Sequence, residues 1–137
     1  MLKTECINPD IIGLLAQCGH GDKVLIADGN YPLDSNTGES TAKIFLGLTH
    51  GMPTATQVLE VLGKTVSIEN AEVMMPETGE EPDIFSEFRQ LLPDEVKLNK
   101  LGRYEFYDAC KEDNIKIAIS TGEKRVYANI LITIGVA

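Results

Sequence analysis

Positive charge is scarce in this chain. Twelve lysines and arginines stand against 21 aspartates and glutamates, a formal charge of −9. A field of that sign repels phosphate backbones and anionic lipid, so nucleic acid and membrane surfaces are poor partners, while neutral small molecules and proteins stay open. Long apolar runs are missing as well, and none approaches the roughly 18–20 residues that span a bilayer. The opening Met1-Leu2-Lys3-Thr4-Glu5 gives way to Asn8, Pro9 and Asp10, which is no secretory core. Only three cysteines occur, Cys6, Cys18 and Cys110, with no C-x-x-C pair. A disulfide framework is not expected from them, and small buried or half-buried thiols are. The expectation is a reduced, cytoplasmic protein.

The motif inventory is equally thin. The two histidines, His20 and His50, are thirty residues apart with no H-x-x-x-H, so no metal site is expected. No G-x-x-x-x-G-K-[ST], G-x-G-x-x-G or G-x-S-x-G occurs, which removes motif support for nucleotide cofactors and for a serine nucleophile. Cys18 lies two residues from His20 but on the apolar face of a predicted helix, and is not read as a nucleophile.

What is present suits one domain over residues 1–137. The composition is 43% hydrophobic and 24% charged, and a chain of this size buries roughly 65–70% of its unfolded surface. Asn8 caps a helix that opens on Pro9 and Asp10, with Gly19 as its stop. Lys23-Val24-Leu25-Ile26-Ala27 reads as a strand, residues 29–40 as a turn-rich loop, and 43–48 as a second strand. Thr54 and Gln57 form a capping box before a second helix, 67–75 alternates like a strand, and 82–92 and 103–111 carry helical apolar spacing. Residues 115–120 and a terminal run from about Tyr127 complete the strands. The last run is apolar to its end and belongs inside a sheet or at a subunit contact. Short branched runs alternating with helices indicate an α/β fold, a mostly parallel or mixed central sheet flanked by helices.

Three places could carry chemistry. His20 sits between Gly19 and Gly21 just before the first strand, and Asp28 just after it. A strand rises about 3.3 Å per residue, so the two meet only if the glycine turn folds back; otherwise they reach one ligand from different sides or different subunits. Arg103, Tyr104, Phe106 and Tyr107 share a helix, the aromatics reading as packing residues and Arg103 with Glu105 as a surface pair. Asn129 interrupts an apolar strand start. A buried amide left unpaired costs about 1–3 kcal/mol, so Asn129 needs a specific partner. Tyr127 and Asn129 fall on one face if the strand includes them, a hydroxyl and an amide suited to hydroxyl-rich ligands.

Taken in order, Asn8-Pro9, Gly19-His20-Gly21-Asp22, Ile26-Ala27-Asp28, Arg103-x-x-Phe106-Tyr107, Thr121-Gly122-Glu123 and Tyr127-Ala128-Asn129-Ile130-Leu131 resemble the D-ribose pyranase / L-fucose mutarotase family (RbsD/FucU) over nearly the whole chain. The resemblance implies an α/β subunit in a ring-like oligomer, typically a decamer of two stacked pentamers. It also implies cofactor-free interconversion of monosaccharide forms. By the same resemblance His20 matches the catalytic histidine, Asp28 a substrate-binding aspartate, Arg103 the arginine of the fucose branch, and Tyr127, Ala128 and Asn129 the carboxyl-terminal substrate-binding triplet. Gly21-Asp22 and Arg103-x-x-Phe106-Tyr107 look like the fucose side, and Tyr127-Ala128-Asn129 like the ribose side, so hexose and pentose both stay open.

Opening a cyclic hemiacetal needs one proton taken from the anomeric hydroxyl and another supplied to the ring oxygen. An imidazole, with an ordinary pKa of about 6.5, both gives and accepts protons near neutrality, and such general acid–base catalysis contributes about 10²–10⁴-fold. His20 is the expected donor and acceptor, with Asp28, Arg103, Tyr127 and Asn129 holding sugar hydroxyls. The rival readings are a module of a sugar-uptake system that binds the monosaccharide without converting it, and a ring protein that has lost the site.

Overall fold

Six strands and four helices are laid down in an order that puts every parallel strand's carboxyl end on one edge. The computed structural model describes residues 1–137. The strands are β1 (Lys23–Ala27), β2 (Ala42–Phe45), β3 (Ile68–Met74), β4 (Leu98–Leu101), β5 (Ile115–Ser120) and β6 (Ile130–Ile134). The helices are α1 (Pro9–Leu15), α2 (Ala55–Gly63), α3 (Ile84–Leu91) and α4 (Arg103–Ala109). The sheet runs β2-β5-β1-β6-β3-β4. Contacts β1–β5, β2–β5 and β3–β4 are parallel, and β6 is antiparallel to both neighbours, β1 and β3. The α/β class with a mixed sheet is therefore what the sequence pattern indicates.

Strand alternation sorts the core into two layers. Val24 and Ile26 point to the face covered by α1, α2 and α3, where they meet Leu59, Phe85 and Phe88. Leu25 and Ala27 point to the other face, onto Phe106 and Cys110 of the α4 segment and Tyr31 and Leu33 of the following loop. All five residues of β6 are buried, because it lies between β1 and β3 and is covered on both faces.

The helix starts follow their sequence signals. Asn8 Oδ1 accepts from Ile11 N at 3.0 Å. The capping box at α2 is complete, with Gln57 N donating to Thr54 Oγ1 at 3.2 Å and Thr54 N to Gln57 Oε1 at 2.9 Å. The ends are shorter than expected. α1 stops at Leu15, leaving Gly19 to open a separate turn, and α4 stops at Ala109. β2 covers only Ala42–Phe45. The terminal strand begins at Ile130 and not near Tyr127, since Tyr127 sits in a turn with a φ of 59°. The edge strand β4, Leu-Asn-Lys-Leu, was not anticipated, being too short and polar to show a period.

Candidate functional site

The carboxyl edge of a parallel sheet is where open α/β folds hold ligands, and four of the anticipated residues meet there. Asp28 follows β1, Arg103 opens α4 just after β4, and Tyr127 and Asn129 precede β6. Together with Tyr31, Met74, Tyr107 and Val126 they line a cavity of about 330 Å³, at the small end of the roughly 300–1,000 Å³ found for small-molecule sites.

Asp28 organises this edge. Its carboxylate accepts from Asn30 N at 2.8 Å, Tyr31 N at 2.9 Å and Ala128 N at 3.1 Å. Its own amide donates to Asn129 Oδ1 at 2.8 Å, which is the specific partner that the buried Asn129 required. One side chain thus joins the turn after β1 to the turn before β6. Burial raises the Asp28 carboxyl above its ordinary value, and the backbone N–H bonds oppose that rise without cancelling it. Ala128 gives its amide to Asp28 and buries its methyl in the α1–α3 core, so its link to the cavity is through the backbone.

Tyr127 pays a steric penalty for its left-handed backbone, about 1–2 kcal/mol for a residue with a Cβ. Two anchors hold it. The Asp28–Ala128 bond is one. The other is Glu123, buried just upstream, which accepts from Arg125 N at 3.1 Å and Nε at 3.0 Å, and from Ala55 N at 3.3 Å at the start of α2. Arg125 reaches on to Glu87 of α3. Burial pushes the Glu123 carboxyl up, but the bonds from Arg125 and Ala55 outweigh it and leave the group below its ordinary value. The Thr121-Gly122-Glu123 motif has a second reason. A Cβ on Gly122 would lie 2.6 Å from Met52 O and 2.7 Å from Met52 N, so only glycine lets the 49–53 turn close against this strand end.

The groups facing the cavity are uncommitted. The Arg103 guanidinium, the Tyr107 and Tyr127 hydroxyls and the Asn129 amide nitrogen make no hydrogen bond within the chain, leaving a set of donors around the cavity. Tyr107 forms its aromatic wall, edge-on to Tyr31 at 5.7 Å between ring centres. Of the helix aromatics read as packing residues only Phe106 is fully buried; Tyr104 is 73% exposed and Tyr107 lines the cavity. The contribution of Tyr31, Met74, Tyr107 and Val126 was not foreseen, because apolar and aromatic residues at a core boundary carry no signal of a ligand wall.

His20 is elsewhere. It stands in the turn before β1, at the opposite edge of the sheet, so that the whole of β1, five residues or about 16 Å of strand, lies between it and Asp28. Gly21, with φ 90°, makes the turn. The turn is tied to the end of β6 by Gly21 N to Ile134 O at 2.9 Å and Ile134 N to Asp22 O at 2.8 Å. Gly19 N donates to Asp22 Oδ2 at 2.8 Å. The turn does not fold back, and the imidazole instead meets Glu69 at the start of β3, its Nε2 2.9 Å from both carboxylate oxygens. No sequence signal links residues 20 and 69; only the β1-β6-β3 order brings them together. His50 is exposed in the 49–52 turn and does not line the cavity.

Comparison with known proteins agrees over the full length. A sequence model of the RbsD / FucU transport protein family matches residues 1–137. The D-ribose pyranase of Staphylococcus haemolyticus is 33% identical over 138 residues, covering 99% of this chain and 98% of that one. The structure of Bacillus subtilis RbsD complexed with D-ribose superimposes with a TM-score of 0.84 at 28% identity, covering 100% of this chain and 99% of that one. The fucose mutarotase of Streptococcus pneumoniae in complex with L-fucose gives a TM-score of 0.84 at 25% identity, with coverage of 100% and 99%.

Proposed function

The chain belongs to the RbsD/FucU family, and from that premise we propose that it is an isomerase that interconverts ring forms of a neutral monosaccharide by opening and closing the hemiacetal, without a cofactor. The observation that carries the reading is the cavity at the carboxyl edge, where Arg103, Tyr127 and Asn129 present free donors beside Asp28 in a space of about 330 Å³, large enough for a monosaccharide. In the reaction, a base takes the proton of the anomeric hydroxyl, the electron pair of that O–H bond becomes the second bond of the carbonyl, and the bond from the anomeric carbon to the ring oxygen breaks, its pair staying on the ring oxygen, which takes up a proton. Closure reverses each step. An imidazole performs both transfers near neutral pH.

Within one subunit His20 cannot be that imidazole for its own cavity, so the reading includes self-association. The His20 edge and the cavity edge are different surfaces at opposite ends of the sheet, and a contact between them is heterologous. Such contacts close into a ring when the rotation between neighbours closes, and into an open filament when it does not; the ring, typically decameric, is what the family resemblance implies. Each site would then take its cavity from one chain and His20 from the next. No helix is long and apolar enough to cross a membrane, and the proposed place of action is the cytoplasm.

The test is anomer exchange by NMR saturation transfer on a panel of fucose, ribose, galactose and glucose. Exchange above the uncatalysed rate on one of them, abolished by His20→Ala in a protein that stays assembled, is the expected result. A second reading is favoured by the distance of His20 from the cavity, namely that the chain binds the sugar without converting it, as a component of an uptake system. Saturable sugar binding with no effect on exchange would establish that reading instead. The relatives' sugars, D-ribose and L-fucose, frame the choice between pyranase and mutarotase, and the panel decides it.

A further inference from the structure

We propose that Glu69 is the positioning residue for His20, fixing the imidazole so that Nδ1 is the atom that exchanges protons with the sugar. The inference rests on the functional reading above and deepens it. A carboxylate only accepts hydrogen bonds, so the ring nitrogen against it must carry the proton. Nε2 lies 2.9 Å from both Glu69 oxygens and is therefore the protonated nitrogen of the neutral ring. Nδ1 makes no hydrogen bond within the chain, and its lone pair is the free base. The carboxylate also stabilises the imidazolium formed once Nδ1 has taken the anomeric proton, as an acidic partner does for any relay histidine.

The surroundings hold this pair in place from both sides. The His20 turn is fastened to the end of β6 through Gly21 and Asp22. Glu69 is fastened through β3, and Gly135 leaves the space its side chain occupies, since a Cβ there would lie 3.1 Å from Glu69 Cβ and 3.4 Å from Oε2. Both partners are substantially exposed, 59% and 43% by side chain. An ion pair so exposed adds little to the stability of a subunit, which leaves orientation of the ring as its contribution. Docking against the cavity edge of a second copy would remove it from water and strengthen the bond.

The experiment uses the assembled full-length protein with Glu69→Ala and Glu69→Gln variants. Saturation transfer gives the exchange rate, sugar titration gives affinity, and ring-¹⁵N NMR observes the imidazole protons. With only two histidines, His50→Gln assigns the spectrum. The expected wild-type signature is an Nε2-bound proton on His20 protected from solvent exchange. Glu69→Ala should lose that signature and at least about tenfold in exchange rate, with sugar affinity within about twofold because Glu69 touches the imidazole and is not among the residues that line the cavity. Glu69→Gln keeps an acceptor at the same place but not the charge, and should restore the protected proton and only part of the rate, between the alanine variant and wild type. An unchanged His20 signature in Glu69→Ala, a proton on Nδ1 in the wild type, or a full exchange rate in the alanine variant each overturns the proposal. Absence of exchange in the wild type sinks the functional reading separately, while the ring-proton signature still decides whether Glu69 holds the imidazole.

Discussion

Two inactive chains should make an active protein when they assemble together. His20→Ala removes the imidazole, and Asn129→Ala removes a donor from the cavity; each homo-oligomer is expected to lose catalysis. β1, about 16 Å of strand, separates the edge that carries His20 from the edge that carries the cavity within a chain, too far for one sugar to touch both. If sites form between chains, a working one needs its imidazole from an Asn129→Ala chain and its cavity from a His20→Ala chain. At equal, random mixing half of the imidazole positions and half of the cavities are intact, so the co-expressed assembly should recover about one quarter of wild-type exchange. If instead each site is confined to one chain, every site lacks a group and nothing is recovered. Saturation transfer on purified mixed oligomers reads the difference, and activity no higher than that of the parents would refute the shared site. Asn129 is structural as well, since losing its Oδ1 strands the Asp28 amide at about 1–3 kcal/mol. Arg103→Ala, at an exposed position without partners in the chain, serves as the second cavity variant and should complement to the same extent.

Other consequences follow from the anchors of the cavity. Asp28→Ala leaves three N–H donors, of Asn30, Tyr31 and Ala128, without their acceptor; a loss of at least about 2 kcal/mol in urea unfolding, with weakened sugar binding, is expected. Glu123 is held below its unfolded value of 4.5, so its stabilising contribution is complete above that pH and disappears as pH falls through the lower folded value. Unfolding midpoints followed downward from pH 7 should therefore fall less steeply in Glu123→Gln than in wild type, and parallel curves would contradict the assignment. Asp28 has the opposite sign, its raised folded value making ionisation a cost that acidification relieves. Gly122→Ala drives a methyl into the backbone of Met52 and Thr49 and should destabilise by about 1–3 kcal/mol or more; an unchanged melting temperature would show that the 49–53 turn yields freely.

Much of the fold was legible because its signals are local. Asn8 before Pro9, Thr54 three residues before Gln57, and the branched runs at Lys23–Ala27 and Ile115–Ser120 each state their own structure. What failed was local information overruled by packing. Tyr127 looks like a strand residue, yet Asp28 and Glu123 bind the backbone on either side of it and turn it left-handed. β4 has no pattern of its own and exists because β3 offers an edge. The candidate site divided along the same line. Asp28, Arg103, Tyr127 and Asn129 converge because strand order brings their elements to one edge, an outcome the sequence resemblance implies but spacing alone does not. The separation of His20 could be read from strand length, whereas Glu69 could not be read at all, being joined to it only through the intervening β6.

The geometry also divides the labour among the cavity residues. A carboxylate has about four acceptor positions, and backbone amides already fill three of those on Asp28. At most one remains for a ligand, so Asp28 acts first as the clasp that places Tyr127 and Asn129, and in the proposed site it would touch a sugar only secondarily. On the proposed reading, recognition falls to groups with nothing else to bond: the Arg103 fork, the two tyrosine hydroxyls and the Asn129 Nδ2. Arg103 and Asn129 Nδ2 can only donate, so the sugar must offer them oxygen lone pairs, as a neutral polyol does at every hydroxyl. The acidic exterior then sets no barrier to such a ligand, which carries no charge to be repelled.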